Sequence, residues 1–143
     1  MRWRKGFTMI ELSIVVVIVI MLAATVIPQY LSTISDTRVE QAAQQVGRAM
    51  RFARQMAVTL RTNITLATAP GWNKVCVVNP ANGDTLYRFG LAGGASVISV
   101  NGTPTFFARG TSLGATIVVG DSDASKDVIV NVVSRVRIDD HIG

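Results

Sequence analysis

The chain has 143 residues, 49% of them hydrophobic and 16% charged, with a formal net charge of +5 and a single cysteine. That length holds one modest core beside an anchor, and the lone Cys76 excludes an intrachain disulfide. Three cations, Arg2, Arg4 and Lys5, precede residue 6; without them the balance is 11 basic against 9 acidic residues, weak ground for a nucleic-acid partner.

Those cations lead into Gly6-Phe7-Thr8-Met9-Ile10-Glu11-Leu12 and an apolar run that continues to Ile27. As a helix, Phe7 to Ile27 would extend about 31 Å, close to the thickness of bilayer hydrocarbon. Ile14-Val15-Val16-Val17-Ile18-Val19-Ile20 would favour a strand in water, but a lone segment in a bilayer satisfies its backbone only as a helix. The cations in front place the N-terminus on the cytoplasmic side and the rest of the chain across the membrane. Glu11 is the one residue of the run ionised at neutral pH. Such a group costs roughly 2.5–3.5 kcal/mol on insertion scales. It either has a partner and a function, or it snorkels from the helix start into the headgroups. An ordinary secretory signal is the competing expectation, with Leu22-Ala23-Ala24-Thr25-Val26 as its cleavage region. Against it, the helical pattern runs about thirty residues further, which a removable signal has no reason to do. Pro28 follows the run and predicts a kink or a locally melted turn, not a stop, and Tyr30 suits a membrane interface.

Gly6-Phe7-Thr8-Met9-Ile10-Glu11 resembles the N-terminal signature of type IV pilins and type II secretion pseudopilins. The resemblance implies a leader over 1–6, cleavage by a prepilin peptidase between Gly6 and Phe7, and N-methylation of Phe7. It also implies that Glu11, fifth in the cut chain, meets the free amine of a neighbouring subunit, the compensating cation that a buried carboxylate needs. Pro28 falls where that family commonly has a proline. The expected product is a single-pass inner-membrane protein with its globular part in the periplasm, associated with a filament after assembly. Its partners would be the peptidase, other pilin or pseudopilin subunits and membrane lipid.

From Ser35 to Leu60 the period stays helical. Val39, Ala42, Val46, Ala49, Phe52, Ala53, Met56, Ala57 and Leu60 share one broad face, with Arg48, Arg51, Arg54 and Arg61 on the other side. Residues 7–61 thus predict one long helix, about 7–28 of it transmembrane. Residues 62–143 predict a β-rich domain. Its strands are expected at Asn63–Ala67, Lys74–Val78, Thr85–Phe89, Ser96–Val100, Thr105–Phe107, Thr116–Val119, Val128–Val133 and Arg135–Ile138. Turns are expected at Asn79–Asp84, Gly93-Gly94, Asn101-Gly102 and Gly120–Asp123. The fold class is α+β, a long N-terminal helix packed on an antiparallel sheet or sandwich.

Arg48-Ala49-Met50-Arg51-Phe52-Ala53-Arg54-Gln55-Met56-Ala57, the strand Asn63-Ile64-Thr65-Leu66 and the tail from Phe107 to Arg137 resemble the minor pilins of the GspH/FimT type. That group commonly has glycine where Ser134 stands, which bears on a tight turn there but not on the strand that follows.

No catalytic constellation is present. His141 is expected to be solvated, Cys76 to be a small buried hydrophobe, and Trp72, Phe106 and Phe107 to be core or rim residues. Asp121, Asp123 and Asp127 lack the spacing and closing glutamate of a calcium loop, so a solvated turn is the simpler reading. No metal and no cofactor is expected. Arg135 and Arg137 would share a strand face and, with Arg109 or Lys126, could form a small cationic patch for phosphates. Some members of the FimT branch are associated with DNA capture through basic residues in this region, so DNA is the alternative partner. A structural subunit, a DNA- or substrate-binding module and an anchored enzyme are the three function classes, and the enzyme lacks a nucleophile–base pair.

Overall fold

The computed structural model describes residues 8–122 and 124–141, with the side chains of 26–32 outside that description. The chain divides into two units, residues 1–34 and 35–143. Helix α1 runs from Met9 to Leu60, its backbone helical through Pro28.

In the first unit the helix is apolar all round from Ile14 to Ala24. Every large hydrophobic side chain from Met9 to Leu22 is exposed, Met9 at 84% and Val15 at 48%. Ser13 Oγ and Thr25 Oγ1 donate back to the Met9 and Leu22 carbonyls at 2.9 Å, so these hydroxyls need no outside partner. Among the described residues no helix is long and apolar enough to cross a membrane. The expected span over 7–28 lies partly outside the described side chains.

In the second unit α1 packs on two four-stranded antiparallel sheets. One has the order β3-β2-β1-β5, from β1 (Ile64–Ala67), β2 (Lys74–Asn79), β3 (Asp84–Gly90) and β5 (Thr105–Phe106). The other has the order β4-β6-β7-β8, from β4 (Ser96–Asn101), β6 (Ala115–Gly120), β7 (Ser125–Val130) and β8 (Val136–Asp140). Alternation puts Ile64 and Leu66, Val75 and Val77, Ile117 and Val119, and Val128 and Val130 on inner faces, where all are buried. They form one core with α1 and Phe106.

The helix meets that core through Val39, Ala42, Ala43, Val46, Ala49, Met50, Ala53 and Ala57, all fully buried. This stripe is rotated from the expected face. Ala43 and Met50 join it, Phe52 and Met56 move to its flank, and Leu60 is exposed. The cause is an aromatic contact, with Phe52 turned to the edge strand β3 against Tyr87 (5.5 Å) and Phe89 (5.9 Å). Phe106 is core, Phe107 half-buried and Trp72 41% exposed, with Lys74 Nζ 5.3 Å from its ring centre. Cys76 is a buried free thiol on β2.

All eight expected strands form, but two are misplaced in frame. β7 begins at Ser125, not Val128, and stops at Val130. β8 begins at Val136, so Arg135 belongs to the preceding turn.

Candidate functional site

The first candidate is the N-terminal motif. Gly6 and Phe7 lie outside the described residues, and so does the side chain of Pro28. Thr8 caps the helix, its Oγ1 accepting the Glu11 N–H at 3.3 Å and its carbonyl accepting the Leu12 N–H at 3.1 Å. The signal was a threonine three residues before a glutamate, a capping-box spacing that the sequence reading passed over. Glu11 thus sits in the first turn, where its charge suits the helix dipole. It is exposed, and among the described residues its carboxylate meets no cation.

The second candidate lies where α1 ends and the β7–β8 turn folds back to it. Asn131, Val132, Val133 and Ser134 form the turn, closed by Ser134 N–H to the Asn131 carbonyl at 2.8 Å. Ser134 takes the left-handed backbone conformation (φ 58°) that usually favours glycine. Its hydroxyl donates to the Gly110 carbonyl at 2.8 Å, so the turn survives the departure from glycine. Two more ties fix it: Ser112 Oγ donates to the Asn131 carbonyl (2.7 Å), and Asn131 Oδ1 accepts the Arg135 N–H (2.9 Å).

This knot brings the Gly110 loop and the β7–β8 turn to the part of α1 that carries Arg51 and Arg54. Gly110 has φ 82°, and a Cβ there would stand 3.8 Å from Arg54 Nη2 and 3.7 Å from Val58 Cγ2. About two turns before Arg54 on α1, a Cβ at Gly47 would stand 3.7 Å from both Arg51 Nη2 and Val136 Cγ1. Arg54 therefore lies on the loop tied to Ser134, and Arg51 lies beside β8. Arg51, Arg54, Gln55, Val58 and Thr59 line a recess of about 470 Å³. Arg135 and Arg137 line another, of about 300 Å³, with Ile129 and Asn131.

Two expectations for the cationic patch need correction. Arg135 and Arg137 share a recess, but not as neighbours on one strand, because Arg135 lies just before β8. Arg137 Nε donates to Asp139 Oδ2 at 2.7 Å, so this arginine, unlike Arg135, stands in an ion pair. Lys126 belongs to the opposite end of the unit, where it bridges Glu40 on α1 (3.0 Å) and Asp140 (2.7 Å). Hydrogen bonding to Lys126 holds the Glu40 and Asp140 carboxyls below their usual range, with Gln44 adding to the effect on Glu40. Bonding to Asp140 and Glu40 raises the Lys126 ammonium above its own. At that end Ser35 Oγ also donates to Asp121 (2.9 Å), and His141 Nδ1 lies 2.7 Å from Asp127 Oδ1, so His141 is paired and not merely solvated. Arg109, by contrast, directly precedes Gly110 at the arginine end. Among the described residues Arg51, Arg54, Arg109 and Arg135 stand in no ion pair. Among them too, no group of His, Cys, Asp and Glu is placed to hold a metal ion.

The family model described as type II transport protein GspH matches residues 42–134. Two curated relatives, both "Fimbrial protein" of Pseudomonas aeruginosa, are 40% identical over 70 residues. The match spans about half of this chain (49%) and somewhat less than half of theirs (45%). Among solved structures, the minor pseudopilin EpsH of the Vibrio cholerae type 2 secretion system superimposes with a TM-score of 0.59 at 9% identity, covering 72% of this chain and 97% of that one. The type IV minor pilin FimU of Pseudomonas aeruginosa gives 0.56 at 18% identity, covering 73% and 90%.

Proposed function

We propose, from the premise that this chain belongs to the GspH family and is a type IV pilin-like minor pseudopilin, that it serves as a structural subunit of a type II secretion pseudopilus or type IV pilus. Proteins of this family are filament subunits, not enzymes. Prepilin peptidase cuts after Gly6, Phe7 is methylated, and residues 7–28 cross the inner membrane with the N-terminus cytoplasmic. The globular part stands in the periplasm. On assembly the apolar flanks of α1 leave lipid for a bundle of like helices, and a kink at Pro28 adjusts the fit. Glu11 sets the register, because a carboxylate in hydrocarbon needs a cation at one depth.

The observation that carries this reading is the capped first turn bearing Glu11, followed by a helix whose apolar side chains are exposed from Met9 to Leu22. Mass spectrometry of protein from its native membrane should find methylated Phe7 at the N-terminus. A chain beginning at Met1, or beyond Ala24, would overturn the reading. Gly6→Ala should leave uncut precursor. Glu11→Ala should be cut yet enter filaments at a small fraction of the normal level, and normal entry would remove the role given to that carboxylate.

A second reading, DNA capture during uptake, is favoured by the recess that Arg135 shares with Arg137. It expects a salt-sensitive shift of the protein on DNA, lost in Arg135→Ala/Arg137→Ala. No binding at low salt would remove it.

A further inference from the structure

β1 follows closely on the end of α1 and pairs with β5. In their antiparallel register Ile64 faces Phe106 and Thr65 faces Thr105, so Asn63 and Phe107 come next as cross-strand neighbours. Ile64 and Phe106 are fully buried in the core. Alternation therefore turns Asn63 and Phe107 to the outer face, where Asn63 is exposed and Phe107 half-buried. Beyond Phe107 the chain doubles back at once. The Phe107 N–H donates to the Thr111 carbonyl and the Gly110 N–H to the Phe107 carbonyl, each at 2.8 Å. The Ser134 hydroxyl holds the Gly110 carbonyl from outside, so the loop is tied at both its base and its tip.

This loop and the start of β1 form a recess of about 510 Å³, lined by Asn63, Phe107, Ala108, Arg109 and Thr111. Small-ligand sites fall in the range of about 300–1,000 Å³. Phe107 supplies an apolar wall, Arg109 is the one cation, and no carboxylate lines the recess. Among the described residues none of the Asn63, Arg109 and Thr111 side chains is hydrogen-bonded or ion-paired within the chain. An amide, a guanidinium fork and a hydroxyl thus keep their full set of donors and acceptors for a ligand. Because the backbone that carries them is already fixed, binding has only side chains to order.

We propose that this recess binds a sugar acid, a pyranose bearing one carboxylate. Arg109 holds the carboxylate through two parallel N–H···O bonds, which the planar fork matches. Asn63 and Thr111 bond the ring hydroxyls, and the C–H face of the ring lies on Phe107. A single cation suits a single negative charge, whereas a phosphate monoester carries about −1.5 to −2 at neutral pH. An apolar peptide side chain would find only Phe107 and Ala108 to bury against. The site goes beyond the filament reading, and it uses neither Arg135 nor Arg137, the pair invoked for DNA.

The test titrates the full chain in detergent micelles with glucuronate, glucose, glucose 1-phosphate and the peptide Ala-Ala-Ala, followed by amide chemical shifts. Glucuronate should move the Asn63 and Phe107–Thr111 amides saturably, with a dissociation constant on the order of 1 mM. Arg109→Gln should weaken it about tenfold, and Arg109→Lys, which keeps the charge but not the fork, about threefold. The unfolding midpoint should hold in both, since the exposed Arg109 side chain has no partner to lose. Arg135→Ala/Arg137→Ala should leave glucuronate binding intact, and its loss there would place the sugar elsewhere and overturn the site. No saturable shift in these amides overturns it too. Glucose binding as tightly as glucuronate removes the carboxylate from the recognition. Glucose 1-phosphate or the peptide binding as tightly overturns the sugar acid, in favour of a general anion site or a site for chain ends.

Discussion

The two stretches of α1 treat apolar residues in opposite ways. Between Ile14 and Ile20 the helix is built of bulky β-branched residues, all about half exposed, whereas from Ala42 to Ala57 the buried stripe is largely alanine. Where two sheets must approach the helix axis, small side chains permit the contact, and the volume comes from Phe106, Ile64, Leu66 and Ile117 across the gap. Where no part of its own domain covers the helix, the bulky side chains stay exposed. One continuous helix therefore carries two kinds of apolar surface, and they differ in side-chain size, not in hydrophobicity alone.

The largest expected effect separates the stretches outright. Phe106→Ala should cost the domain about 3–5 kcal/mol, read as the midpoint of denaturant unfolding of the full chain in detergent micelles. Ile18→Ala should leave that midpoint where it was, and a shift would show that the stretches are not independent. Next in size, Ala49→Leu should lose about 1–3 kcal/mol by overpacking the seat on the sheets, while Val17→Leu should lose nothing. Gly47→Ala should gain up to about 1 kcal/mol, since its Cβ would meet Val136 and Arg51 at an ordinary 3.7 Å and the helix would lose a glycine.

The smallest effect is in pH and belongs to the domain stretch alone. Glu40 is held below its usual range, so its contribution is present above that range and is lost as acid is taken down through the lowered value. Lys126 is held above 10.5, so its contribution is present below that point and is lost as alkali passes the raised value. The pair is partly exposed, so each limb should amount to less than about 1 kcal/mol. Glu40→Gln should flatten the acid limb in the same unfolding measurement, and an unchanged limb would assign it elsewhere.

Pattern made most of this architecture legible. Alternation located every strand and the helical period placed the alanines, because both report which side chains a half-buried surface admits. Errors came where tertiary contacts outvoted the period. Val132 and Val133 read as strand, yet the hydroxyls of Ser112 and Ser134, 22 residues apart, hold them in an exposed turn. Phe52 left the expected face for an aromatic cluster on β3 that no local pattern announces. The arginine end was half legible. Arg135 and Arg137 were visible as a pair, but Arg54 lies at the same end of the unit only because Ser134 ties the β7–β8 turn to the Gly110 loop that packs on α1.

The tie between Ser35 and Asp121 has a mechanical side. It sits at the first turn of α1 within the globular unit, so a pull along the helix from its N-terminal side loads that hydroxyl–carboxylate bond before the alanine seat behind it. Rupture there would peel one turn of helix from the sheet and leave Val39 onward still clamped. Ser35→Ala would thus lower the force at which the domain first yields without lowering the force that extracts the helix.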